Sequence, residues 1–318
     1  MRRLPVAAIT GSCGILALAR QRERITSADV AHAILWRPMP MFLPRLALVA
    51  LLAAAAPLGA QNASTAQGTE QSVTELVEVM RLDELFEVLR EEGLEYGRRL
   101  EADMFPSRGG ADWAGTVSRI YDPDRLRPEF EAALAREIGN DPAVLDGIVA
   151  FYGSELGQRI LGLEIEARRA FLDTAAEEAA RIAADEAAAS RNPKVALIRR
   201  MIEVADLLEA NVAGAMSGNL AFMTGMAETG VYGRTMPEDE ILADIWSREA
   251  QTRSETSTWL DAYLGLAYAP LSEDELAAYV AFWESPAGQR LNAALFVAFD
   301  RVFRPVSHDL GRAAGRAM

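Results

Sequence analysis

The chain is predicted to be all-α, a tandem duplication of a multi-helix bundle with no β-sheet. Three observations lead there. Apolar residues recur at helical spacing, and no alternating run of strand length interrupts them. Capping signatures stand in front of the apolar-faced segments. A twelve-residue stretch occurs twice, as "VAFYGSELGQRI" at 149–160 and "VAFWESPAGQRL" at 280–291, identical at seven positions and offset by 131. With 318 residues, 50% hydrophobic and 25% charged, the composition is that of a globular chain long enough for two ordinary domains.

The first segment with a readable role is 39–60, "MPMFLPRLALVALLAAAAPLGA". Arg45 gives a positive end, Leu46 to Ala56 an apolar run, and Leu58-Gly59-Ala60 a small-residue cleavage site before Gln61, the order of a secretory signal peptide. The apolar run is too short for a membrane span, which needs about 20 residues; a buried core helix is the structural alternative. Residues 1–38 then read as an upstream extension, with translation starting at Met39 or Met41. A lipoprotein signal ending at Cys13 is the weaker option, because "ITGSC" has neither a leading leucine nor a long apolar run. Residues 61–71 form a short polar linker. The expected location is periplasmic or secreted, with no transmembrane anchor after processing.

Removing residues 1–60 takes away seven Arg and two acids, leaving 25 basic and 44 acidic residues, a formal charge of −19. Such a chain repels nucleic acid at long range, so no nucleic-acid partner is expected. Lys194 is its one lysine, and the loss of Cys13 leaves no cysteine, so burial alone must stabilise the core.

The elements follow in order. Ser72 and Glu75 make a capping box that opens a helix carrying Leu76, Val77, Met80, Leu85, Phe86 and Leu89. Asp122-Pro123 and Asp141-Pro142 each set a capping acid before a proline at the first helical position. A long Ala-, Glu- and Arg-rich helix is expected from Glu155 to about Ser190, closed by Asn192-Pro193. These elements make the first repeat, 72–191. In the second, 192–318, a helix is expected from Lys194 to about Ala227, with "EVADLLE" (203–209) loosely matching "RLDELFE" (81–87). Pro237 starts another helix, and Ser272 with Glu275 forms a second capping box.

The repeated stretch reads as a helix–corner–helix. An apolar helix ends in an aromatic pair, Phe151-Tyr152 and then Phe282-Trp283. Ser154 and Ser285 follow as N-caps. Glu155 and Pro286 both suit a first helical turn. Gly157 and Gly288 permit close helix approach, and Gln158-Arg159 and Gln289-Arg290 can bond carbonyls freed at the preceding helix end. "AFWESPAGQRL" resembles the bacterial domain of unknown function 2059; "AFYGSELGQRI" departs from that pattern at Glu155 and Leu156. The resemblance is strongest over about 270–300. It implies a secreted or periplasmic helical module with a possible interaction role for the motif, and no substrate.

Signals of chemistry are sparse, and no enzyme activity is expected. No Walker loop is present, and no cofactor is implied. The processed chain's one histidine, His308, lacks the partners of a zinc site, so no metal is expected. Ser154 lies in "GSELG", but a nucleophile elbow needs a preceding strand and a His–acid pair, so capping is the better reading. Among many acids, Glu164, Glu166 and Asp173, or Glu238-Asp239-Glu240, offer candidate acid–base pairs, against a solvated face or first-turn placement. The uncharged run 210–227, with Gly214-x-x-x-Gly218, is a core helix or an apolar groove formed by Met216, Phe222, Met223 and Met226. Trp246, Trp259, Tyr263 and Tyr268 are possible further lining residues.

The leading functional expectation is a non-catalytic envelope interaction or scaffold module that binds a protein partner or itself. The first alternative is a module binding a hydrophobic small molecule or lipid. The second is a metal-independent hydrolase using paired carboxylates.

Overall fold

The computed structural model describes residues 75–139, 141–233 and 236–318. Cys13, the segment 39–60 with its Ala60–Gln61 junction, the linker 61–71 and the Ser72 cap lie outside them. After a helical stretch at 75–79 come α1 (Leu82–Met104), α2 (Gly110–Ile120), α3 (Pro123–Ile138), α4 (Pro142–Tyr152), α5 (Glu155–Ala170) and α6 (Thr174–Ala189). The rest of the chain forms α7 (Pro193–Val204), α8 (Leu207–Ala227), α9 (Glu238–Ser247), α10 (Glu249–Tyr268), α11 (Glu273–Glu284) and α12 (Pro286–Ala317). The protein is all-α; no strand occurs among the described residues.

The sequence caps work as local chemistry requires. Asp122, Asp141 and Asn192 accept backbone N–H bonds at the starts of α3, α4 and α7, each with proline at the first helical position. Ser272 and Glu275 close a complete capping box on α11.

Three expected helices are each divided. The helix from Ser72 breaks at Arg81 and the one from Lys194 at Asp206, both left-handed residues with φ 51° and 46°. The Glu155–Ser190 segment breaks at 171–173, where Asp173 caps α6 by accepting from the Ala175 N–H at 2.8 Å. The break at 171–173 redirects the chain so that α5 and α6 both pack on α10. The divisions also move one alignment. Structurally Arg81 corresponds to Asp206, so "RLDELFE" and "EVADLLE" are three residues out of register.

Both repeated stretches turn the same corner. Ser154 Oγ accepts from Gly157 N–H and Ser285 Oγ from Gly288 N–H, each at 3.1 Å. Each hydroxyl donates back to the last helix carbonyls, at Phe151 and Phe282, both at 2.6 Å. A Cβ on Gly157 would lie 2.2 Å from Phe151 O, and one on Gly288 2.1 Å from Phe282 O. The element approaching each glycine is thus the end of the preceding helix itself. Gln158 Nε2 donates to Tyr152 O (2.7 Å) and Val79 O (2.6 Å); Gln289 Nε2 donates to Trp283 O (2.7 Å) and Val204 O (2.9 Å). Val79 and Val204 end the helices that stop before the left-handed residues. Each glutamine therefore satisfies one carbonyl at its own corner and one at a distant break.

The arginines differ from expectation. Arg159 bonds Pro270 O at 2.8 Å and the Glu275 carboxylate, not its own corner, and Arg290 is exposed on α12.

The two corners meet. Phe151 stacks on Phe282 with ring centroids 4.1 Å apart, and Ala287 in the first turn of α12 lies against Gly147 of α4. The sequence stretches 75–191 and 192–318 interlock beyond this point. The second stretch lays α12 on α3, with Phe299 4.4 Å from Phe130, while the first lays α6 on α10. The described residues accordingly fall within one compact unit.

Candidate functional site

The run 210–227 forms most of α8, and its packing differs from a groove. Gly225 approaches His308 O, and Gly311 approaches Phe222 O, so the α8 and α12 backbones touch reciprocally. Gly214 has open space beside it. Phe222 and Met226 are buried in this packing, and Met216 and Met223 are half-buried. None of the four lines the cavity beside α5.

That cavity, about 160 Å³, lies between α1, α5, α7, α8, α10, α11 and α12, with Met80 reaching it from before α1 and Tyr152 from the end of α4. Its lining residues are buried or half-buried; none is exposed. Most are apolar, including Leu82, Leu161, Leu260 and Phe299. The aromatics Trp259, Tyr263 and Tyr268 do line it, whereas Trp246 is 64% exposed on α9. The aromatic pairs of the repeated stretch divide their work. Phe151 and Phe282 stack on each other, and Tyr152 and Trp283 line the cavity.

One wall is polar. On α5, Leu161, Glu164, Ile165 and Arg168 share a face at i, i+3, i+4 and i+7. Tyr268 and Tyr279 both donate to Glu164 Oε1, at 2.7 and 3.0 Å, and Tyr263 donates to the Glu164 backbone carbonyl at 3.0 Å. Tyr152 and Tyr279 hydroxyls lie 3.4 Å apart; since Tyr279 spends its hydrogen on Glu164, Tyr152 is the donor. Arg168 forms a bidentate pair with Glu92, at 2.8 and 2.9 Å, and lies beside the Tyr263 hydroxyl. Asn211, 3% exposed, donates to Leu207 O at 2.6 Å, while its Oδ1 has no partner among the described residues.

Removal from water raises the Glu164 pKa above its ordinary 4.5; the two tyrosine bonds and the Arg168 charge only partly offset that. Burial likewise raises the phenols of Tyr152, Tyr263, Tyr268 and Tyr279, which stay protonated.

The other acidic candidates do other things. Glu166 is exposed, Asp173 caps α6, and Glu238, Asp239 and Glu240 occupy the first turn of α9. Glu164 is the one carboxylate lining the cavity, so no acid–base pair is assembled there. His308 pairs with Glu228 at 3.0 Å. No group able to hold a metal ion, and no helix long and apolar enough to cross a membrane, is found among the described residues.

Sequence reasoning reached Tyr263 and Tyr268 but placed Glu164 on a solvated face and missed Arg168 and Tyr279. The available signal was the α5 face itself, where Glu164 and Arg168 share the apolar face of Leu161 and Ile165.

Residues 124–185 match a family model described as an uncharacterized protein conserved in bacteria (DUF2059). The match runs from the first turn of α3 into α6 and includes the first corner, Glu164 and Arg168. It lies in the first stretch and not over about 270–300, where the resemblance was expected to be strongest. No curated protein and no solved structure matches the chain.

Proposed function

We propose that this is an exported, non-catalytic helical protein that binds a small, mainly apolar molecule in the cavity between its two interlocked halves. The cavity carries this reading: apolar walls with a few converging polar groups are the usual form of a small-molecule site. An empty 150 Å³ apolar cavity takes about one benzene ring, so a cavity of about 160 Å³ suits a single small ring or a compact branched group. Export rests on the signal-like segment 39–60. We also propose that 72–191 and 192–318 are two copies of one ancestral module. The identical Ser–Gly and Gln–carbonyl bonds at the two corners support that origin.

A scaffold role, through a protein partner or self-association, is the second reading. It is supported by Ile182 and Leu266, exposed on the packed helices α6 and α10, and by a groove of about 340 Å³ beside α7. Native mass spectrometry of protein purified from its host envelope tests both readings. A chain beginning at Gln61 with a dissociable small mass is the expected result. A bare symmetric oligomer would overturn the binding role in favour of the scaffold, and an intact Met1 form would overturn export.

A further inference from the structure

The polar wall of the cavity is unequal in charge and in hydrogen-bond sense. Glu164 and Arg168 are the charged groups lining the cavity, and Arg168 is already held in a bidentate pair by Glu92 behind the wall, so the three together sum to one negative charge. All four tyrosine hydroxyl hydrogens point to Glu164 or to one another, which leaves lone pairs, not hydrogens, turned outward from this cluster. Both side-chain bonds to Glu164 fall on Oε1, and Oε2 takes none among the described residues. The buried Asn211 Oδ1 adds a second acceptor without a partner, beside the same cavity. The remaining wall is rich in aromatic rings, with Trp259 and Tyr263 stacked 4.7 Å apart and Tyr279 and Trp283 5.7 Å apart.

We infer that the cavity recognises a small organic cation, an ammonium group on a compact apolar body, held by the Glu164 carboxylate and the surrounding aromatic rings. This inference rests on the binding role proposed above. A half-buried carboxylate whose neighbouring guanidinium is already paired elsewhere is costly to keep ionised, and a cationic ligand offsets that cost. Aromatic faces attract a desolvated ammonium by roughly 2 kcal/mol or more. A neutral apolar molecule of the same shape would gain the packing and forgo both electrostatic contributions.

Isothermal titration of the full chain at pH 8 with choline, tetramethylammonium and 3,3-dimethylbutan-1-ol, the uncharged carbon counterpart of choline, tests the idea. The cations should bind at least about tenfold tighter than the alcohol, a difference of about 1.4 kcal/mol. Glu164→Gln, which keeps an acceptor for Tyr268 and Tyr279, should abolish that preference. The preference should also shrink as pH falls and Glu164, faced by Arg168 and by Tyr152, Tyr268 and Tyr279, takes up its proton. Equal or tighter binding of the alcohol would overturn the cation assignment and leave the apolar binding role standing. Binding of none of the three would overturn both.

Discussion

Replacing Gln158 with methionine removes two bonds and little volume. Its amide satisfies Tyr152 O at the corner and Val79 O at the break before Arg81, 2.7 and 2.6 Å away. Each such bond contributes about 1 kcal/mol net, and a buried carbonyl left without a donor costs about 1–3 kcal/mol. Gln158 is half-buried, so water can reach part of the vacated space and the lower end applies. The expected loss is about 2 kcal/mol, or about 4–8 °C in Tm for a chain of this size. Urea unfolding followed by circular dichroism reads it as a lower midpoint at constant m. The partner substitution Gln289→Met should cost less, about 1 kcal/mol, because its bond to Val204 O is exposed. A loss below about 0.5 kcal/mol in Gln158→Met, with m unchanged, would refute the view that this side chain clamps the break to the corner.

Gly288→Ala places a methyl group 2.1 Å from Phe282 O and 2.8 Å from the Trp283 Cα, so the corner must open; thermal unfolding should show a loss of about 2–3 kcal/mol, in the range of overpacked sites. Phe282→Ala removes the ring stacked on Phe151 where the corners meet and should cost about 3–5 kcal/mol, with near-ultraviolet circular dichroism losing aromatic signal. Glu164 gives a pH signature of fixed sign. Its folded pKa lies above the unfolded value, so its stabilising contribution is complete below the ordinary 4.5 and is lost as pH rises through the folded value. Glu164→Gln should therefore gain stability relative to the parent protein from pH 4 to pH 8; a parallel pair of curves would contradict the assignment.

Much of the fold was legible because capping chemistry is local. Asp122-Pro123, Asp141-Pro142, Asn192-Pro193, Ser154, Ser285 and the Ser272–Glu275 box each act within one turn, and each sits where its residue type predicts. The breaks at Arg81 and Asp206 were not legible. Neither position is glycine, and the carbonyls freed just before them, at Val79 and Val204, find their donors in Gln158 and Gln289, far along the chain. The break at 171–173 gave a cap signal in Asp173, but the alanine-rich run around it reads as continuous helix. The site was the least legible part. Glu164 looks like one acid among many until α4, α10 and α11 bring Tyr152, Tyr263, Tyr268 and Tyr279 to it, and that convergence is tertiary.

The exchange of α6 and α12 between the two stretches sets the order of events during synthesis. Phe130 on α3 emerges from the ribosome early, yet its cover, Phe299, is among the last residues made. The inner face of α6 likewise waits for α10. The first stretch must therefore remain as an incomplete, sticky intermediate until the C-terminus is released, since most of its final contacts are distant in sequence. Truncation after Arg191 should yield an aggregating fragment and not a half-sized folded protein. Co-expression with a separate 192–318 fragment should recover a soluble pair.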